Sequence, residues 1–261
     1  MERNILLTIE YDGSEFSGWQ RQPVRRTVQG ELEQVLSKVC GTPIQINGTS
    51  RTDAGVHALG QRASFKLESG IPTDKIKLAA NNILAGGKNL AAQVGDVRIL
   101  SVEEMSPDFH ARFDCKGKEY IYKMHCSESK DPFGADLAYH YRRKFDVDAA
   151  REAAAHLVGT HDFASFCADC TSVSTTVRTI YSLEIENNGT SVIILVKGDG
   201  FLYNMIRIIA GTLMDVSEGR ISPDDIPAIL EAKDRLRAGR TAMAHGLYLN
   251  KVYYGGDVLE G

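Results

Sequence analysis

Ile5-Leu6-Leu7-Thr8-Ile9-Glu10-Tyr11-Asp12-Gly13, followed by Thr27-Val28-Gln29-Gly30-Glu31-Leu32-Glu33-Gln34-Val35-Leu36-Ser37-Lys38-Val39, changes its hydrophobic period from two residues to about 3.6. In the first run Ile5, Leu7, Ile9 and Tyr11 alternate with Leu6, Thr8 and Glu10, which predicts a half-buried strand ending at the turn Asp12-Gly13. In the second, Val28, Leu32, Val35, Leu36 and Val39 recur on one helical face, with Thr27 placed to cap the first turn. Working outward, apolar runs at residues 44–46 and 63–65 predict two strands flanking a glycine-rich connection. Thr73 reads as the cap of a helix running to about Leu84, and residues 97–102 as a closing strand. The order is β-α-β-β-α-β, the split βαβ arrangement.

The second half repeats that order. Residues 120–124 alternate as a strand, and Asp146 caps an alanine-rich helix that stops at Gly159. Strands near 180–185 and 192–196 follow, joined by Asn187-Asn188-Gly189. A long apolar helix is expected over 201–216, a further helix start at Ser222-Pro223-Asp224-Asp225, and a last strand over 247–254. The expected fold is α+β: two related ferredoxin-like halves, residues 1–108 and 109–261, with a mixed, mostly antiparallel sheet. With no flexible linker between them, they are expected to pack as one rigid unit with a central active-site cleft.

The chain has 261 residues, 43% hydrophobic and 25% charged, ordinary values for a soluble globular protein. No window reaches the 18 or so apolar residues of a membrane helix, and the N-terminus lacks an apolar signal-peptide core. A cytoplasmic protein without membrane contact is expected. Five cysteines at irregular spacing argue against a disulfide framework, and Cys167-Ala-Asp-Cys170 stands alone, without the second pair that a zinc site would want. The expectation is small semi-buried thiols and no metal. The net charge of −4 disfavours polyanionic partners unless positive charge is concentrated locally. Candidate concentrations are Arg21, Arg25 and Arg26; Arg142, Arg143 and Lys144; and Arg235, Arg237 and Arg240.

Chemistry concentrates in Gly48-Thr49-Ser50-Arg51-Thr52-Asp53-Ala54-Gly55-Val56-His57-Ala58-Leu59-Gly60-Gln61. This segment leaves a strand and packs an arginine, an aspartate and a histidine into seven residues, on the kind of loop that carries catalytic groups. An arginine two residues from a carboxylate can hold it ionised, as a nucleophile or general base requires. On these residues alone an Arg-x-Asp turn is structural more often than catalytic.

Arg51-Thr52-Asp53-Ala54-Gly55-Val56-His57-Ala58 resembles the signature of the tRNA pseudouridine synthase A family. Further blocks resemble that family in order along nearly the whole chain: Tyr11-Asp12-Gly13 to Gly18-Trp19-Gln20 and Thr27-Val28-Gln29, then Phe109-His110-Ala111-Arg112-Phe113 with Lys118-Glu119-Tyr120-Ile121-Tyr122. Gly159-Thr160-His161-Asp162-Phe163-Ala164-Ser165-Phe166, Gly200-Phe201-Leu202-Tyr203-Asn204-Met205-Ile206-Arg207, and Thr241-Ala242 to Gly246-Leu247 complete the set.

The resemblance implies conversion of uridine to pseudouridine in the anticodon stem-loop of tRNA, at positions 38, 39 and 40, by a cofactor-independent homodimer. It implies Asp53 as nucleophile or as the carboxylate assisting glycosidic cleavage, with Arg51 or Arg207 pairing it. Arg207 also stands out by itself, because a charge in the apolar run 201–213 is costly without a partner. Tyr120 would be the ring against which a flipped-out uracil stacks, worth roughly 1–3 kcal/mol per base, and a candidate acceptor of the C5 proton. Tyr122, on the same strand face, is the competing choice. Leu247 would be an apolar pocket wall, and Arg21, Arg25 and Arg26 substrate-binding cations.

His57, His110 and His161 read as hydrogen-bonding scaffold, and Phe16 and Trp19 as packing at the strand-to-helix connection. Met243 stands where the family usually has proline, and residues 85–90 differ from its usual connection. Competing readings are the same isomerase chemistry on another RNA, a non-catalytic RNA-binding module, and a nucleoside-hydrolase-like carboxylate enzyme.

Overall fold

The structure, a computed structural model, describes residues 2–86, 95–171 and 173–255. Contacts divide the chain into two compact units. The first is Met1–Cys115 with Leu249–Tyr254, and the second contains Lys116–Tyr248. The last strand therefore begins in the second unit and continues in the first.

The first unit runs β1 (Arg3–Tyr11), α1 (Val28–Cys40), β2 (Asn47–Gly48), β3 (His57–Leu67), α2 (Thr73–Leu84) and β4 (Val97–Met105), the expected β-α-β-β-α-β order. β1 lies antiparallel between β3 and β4, and β2 is an outlying partner of β3. Alternation in β1 drives Ile5, Leu7, Ile9 and Tyr11 into the core, and α1 adds Val28, Leu32, Val35 and Leu36. Thr27 caps α1 by accepting the Gly30 N–H, and Gly41 ends it in the left-handed region.

The strand expected at 44–46 is not there. Polar side chains of α1 serve that backbone instead. Ser37 Oγ accepts from Ile44 N–H at 2.8 Å, Glu33 accepts from Ile46 N–H at 3.0 Å, and Gln29 donates to the Ile46 carbonyl at 3.2 Å. Only residues 47–48 then pair as β2. α2 begins at Thr73, but Pro72 is its cap residue, because the Pro72 carbonyl accepts from Lys75 and Ile76. Residues 87–90 of the unusual connection lie outside the described residues.

In the second unit come β5 (Gly117–Cys126), β6 (Tyr139–Tyr141), α3 (Val147–Ala155), β7 (Gly159–Asp162), β8 (Val177–Asn188), β9 (Ser191–Gly198), α4 (Met205–Ser217) and α5 (Ile226–Ala232). β10 (Leu247–Tyr253) closes the order. The strands run β5-β9-β8-β7, all antiparallel, with β6 parallel to β5. β6 and β7 are additions to the expected order.

Two helix ends differ from expectation. α3 stops at Ala155, and Gly159, expected as its stop, opens β7 opposite Ile180. α4 starts at Met205 rather than 201, because Asn204 takes the left-handed conformation (φ 60°) and interrupts the helical run. Cys167 and Cys170 are joined as a disulfide rather than being separate thiols, a local link three residues apart and not a framework across the chain. No helix among the described residues is long and apolar enough to cross a membrane.

Candidate active site

Asp53 lies on the loop between β2 and β3, and the backbone around it is tied down at Thr49, Ser50, Thr52 and Val56. Trp19 N–H donates to the Thr52 carbonyl at 3.0 Å, Tyr11 and Thr52 hydroxyls meet at 2.7 Å, and Val56 N–H closes the turn on the Asp53 carbonyl at 3.1 Å. Fully buried Gln61 donates to the Ser50 carbonyl at 2.7 Å while its own carbonyl accepts from Ser50 N–H. Thr49 Oγ1 donates to the Ala111 carbonyl at 2.8 Å and lies 2.9 Å from the Tyr254 hydroxyl. Burial pushes the Tyr254 phenol up to about 12, so it stays protonated and able to donate to Ala111.

Two glycines allow this close approach. A Cβ on Gly13 would lie 2.0 Å from the Val56 carbonyl oxygen, and one on Gly18 (φ +89°) would lie 2.7 Å from the Thr52 oxygen. Beside them His57 is wholly buried, with Nδ1 3.0 Å from the Gly13 nitrogen and 3.1 Å from an Asp12 oxygen. Burial raises the Asp12 carboxyl, but the Ser14 hydroxyl and N–H together with His57 outweigh it and hold Asp12 below its ordinary range.

Arg51 shares the loop with Asp53 yet makes no ion pair with it among the described residues. Its exposed side chain lines a depression of about 160 Å³ together with Gln20, Asn47, His110 and Arg112. Of the cations expected to bind substrate, Arg21 is engaged by Glu33 at 3.0 Å, and Arg26 by Glu31 at 2.9 Å and Asp96 at 2.6 Å. These carboxylates neutralise much of the positive charge that the sequence places there. Arg25 is exposed. Phe16 and Trp19 are buried as packing residues, with the Arg26 guanidinium 4.1 Å from the Phe16 ring centre.

The second unit holds Tyr120, Arg207 and Leu247. Tyr120 and Tyr122 both lie on β5, and both are buried. Tyr122 is wholly buried, its hydroxyl donates to the Met243 carbonyl at 2.9 Å, and burial drives its phenol far above the ordinary tyrosine range. Tyr120 meets Phe201 edge-on at 5.4 Å. Leu247 is buried at the start of β10.

Arg207 projects from the first turn of α4, where Nε donates to the Ala242 carbonyl at 2.7 Å and a terminal nitrogen donates to Asn204 Oδ1 at 2.8 Å. The Ala242 carbonyl is in place because residues 239–242 cross α4 at close range. A Cβ on Gly211 would lie 1.7 Å from the Arg240 carbonyl oxygen. Arg240 itself is anchored by Glu218 at 2.6 Å.

Gln61, Asn204 and the Ala242 carbonyl are positioning groups that sequence reasoning did not single out. Gln61 and Asn204 stand inside the quoted blocks, but only the folded backbone shows what they hold. Among the described residues no group of three or more His, Cys, Asp or Glu side chains is arranged to hold a metal ion.

A family model described as tRNA pseudouridine synthase matches residues 7–114 and 153–255. The tRNA pseudouridine synthase A of Caldicellulosiruptor bescii is 43% identical over 252 residues, covering 97% of this chain and all of the relative. That of Acetivibrio thermocellus is 44% identical over the same shares. The Bacillus subtilis protein of that name is 45% identical over 95% of this chain and 97% of its own.

Proposed function

The chain belongs to the tRNA pseudouridine synthase family, and from that premise we propose that it isomerises uridine to pseudouridine in the anticodon arm of tRNA, at positions 38 to 40, with Asp53 as its catalytic carboxylate. The observation that carries the role of Asp53 is the loop itself: a carboxylate displayed from a segment whose backbone is fixed on both sides by buried hydrogen bonds. Such fixation pre-organises a reacting group, so little reorganisation is left for the reaction step.

The reaction breaks the N1–C1′ bond, turns the uracil, joins C5 to C1′, and moves one hydrogen from C5 to N1. Atoms and electrons balance within the substrate, so no cofactor or metal is required. Asp53 assists the glycosidic cleavage, by attack or by stabilising the positive charge that develops at C1′. Tyr120, Arg207 and Leu247 are assigned to the extruded uracil: a ring to stack on, a cation for its polar edge, and an apolar wall. The commitment of the Tyr122 hydroxyl to Met243 favours Tyr120 over Tyr122 in that role. The working form in this reading is a cytoplasmic homodimer acting on tRNA.

The test is pseudouridine mapping on unmodified tRNA transcripts treated with wild type or Asp53→Asn. Pseudouridine at positions 38 to 40 with wild type alone is the expected result. Equal turnover by Asp53→Asn would remove Asp53 from the chemistry, and product at other uridines would reassign the substrate. Light scattering at micromolar protein checks the dimer.

A further inference from the structure

Five arginines of the first unit, Arg3, Arg21, Arg26, Arg62 and Arg98, each face a carboxylate. Arg51 and Arg112 do not pair with one among the described residues, and both line the depression of about 160 Å³ beside the Asp53 loop. No aspartate or glutamate contributes to its lining, while Gln20 and Asn47 add neutral polar groups. In a chain of net charge −4, two guanidiniums held by no ion pair among the described residues form a local anion-attracting spot.

An aromatic surface adjoins it. Phe113 is 74% exposed, so its ring presents a face to solvent. Its ring lies on that of His110 at 4.3 Å between centres, tilted by 32°, and the Arg112 guanidinium carbon is 6.0 Å from its centre. The platform is locally built. His110 Nδ1 accepts from the Arg112 and Phe113 N–H groups at 3.0 and 3.3 Å, and Asp114 accepts from His110 N–H at 2.7 Å. With Nδ1 occupied as an acceptor, Nε2 is the donor that the imidazole has left to offer.

We propose that Arg51, Arg112 and Phe113 form a second nucleotide-binding site, which holds a single-stranded ribonucleotide flanking the target uridine, its phosphate on the two guanidiniums and its base against the Phe113 ring. The chemistry is that of single-strand recognition: a cationic contact to the backbone beside an aromatic face that accepts any base. Arg51 then acts as a phosphate-binding residue of the same loop that displays Asp53, so correct seating of the neighbouring nucleotide sets the loop against its substrate. This proposal rests on the RNA-modifying reading above.

The test is the affinity of unmodified tRNA transcript for Arg112→Gln, Phe113→Ala and Phe113→Tyr, by fluorescence anisotropy at several salt concentrations. Both side chains replaced are at the surface. Phe113→Ala is expected to weaken binding roughly 5- to 100-fold, and Phe113→Tyr, which keeps the ring, to restore most of it. Arg112→Gln is expected to weaken binding and to reduce the salt slope by about 0.7, the share of one single-strand phosphate.

Wild-type Kd and salt slope in Phe113→Ala and Arg112→Gln would overturn the site. So would a change in association state of Phe113→Ala without RNA, combined with unchanged RNA affinity, which would make the ring a subunit contact. Failure of the underlying reading is separate: the wild type would then make no pseudouridine, whatever the Kd values.

Discussion

Asp53 sits on a loop that buries little apolar surface and is held by hydrogen bonds, whereas Arg207 sits on a helix driven into an apolar core. In α4, Ile208, Ile209, Leu213 and Met214 have no exposed surface, each worth about 1.5–3 kcal/mol of burial. Around Asp53 the holding contacts are polar: Gln61 on Ser50, Tyr11 on Thr52, Trp19 N–H on Thr52. Each such bond contributes only about 0.5–1.5 kcal/mol net. Both regions rely on a glycine where another strand of backbone crosses, Gly13 under Val56 and Gly211 under Arg240. The contrast teaches that the loop is placed by geometry at small energetic cost, while the helix is placed by bulk burial. Activity and stability should therefore respond separately in the two regions.

The largest expected effect is chemical. Asp53→Asn should lower single-turnover pseudouridine formation by about 10³-fold or more, with transcript affinity held within a few fold. A paired comparison comes next. Leu213→Ala should cost about 2–5 kcal/mol in urea unfolding, by opening a cavity in the α4 core, with activity retained in the folded fraction. Gln61→Ala should cost less, about 1–3 kcal/mol, yet reduce kcat of the folded fraction more than Leu213→Ala does, because it releases Ser50. Equal ratios of stability loss to activity loss in the two variants would break the comparison.

Arg207→Lys keeps the charge but cannot span both the Ala242 carbonyl and Asn204 with a planar fork. It is expected to lower kcat/KM by about 10- to 100-fold with a stability change of no more than about 1 kcal/mol. The smallest effect is at Asp12, whose carboxyl is held below its ordinary value of 3.8. Its contribution is present at neutral pH and is lost as pH falls below 3.8 through the lowered value. Asp12→Asn should flatten the acid limb of a stability–pH curve by less than about 1 kcal/mol, since the group is partly solvated.

The main elements of the first unit were legible because their cues are local: period two in β1, and period 3.6 with a threonine cap in α1. The expected strand at 44–46 failed for a non-local reason, since α1 side chains had already satisfied that backbone. α4 was placed four residues too early because apolar content continues through 201–204, and nothing in composition marks the left-handed turn at Asn204. Asp53 is a candidate through a motif resemblance alone. The engagement of Arg21 and Arg26 by acids as distant in sequence as Asp96 was not legible at all.

The sequence by itself determined the α+β class, the element order of the first unit, the family and the candidate carboxylate, because periodicity, caps and motif residues act over a few neighbouring positions. Tertiary structure decided which arginines are neutralised and which face the solvent. It tied the Tyr122 hydroxyl to the Met243 carbonyl, and it brought His110, Arg112 and Phe113 beside Arg51. Charge pairing and exposure depend on which distant segments meet across a sheet, and the folded chain alone makes those meetings.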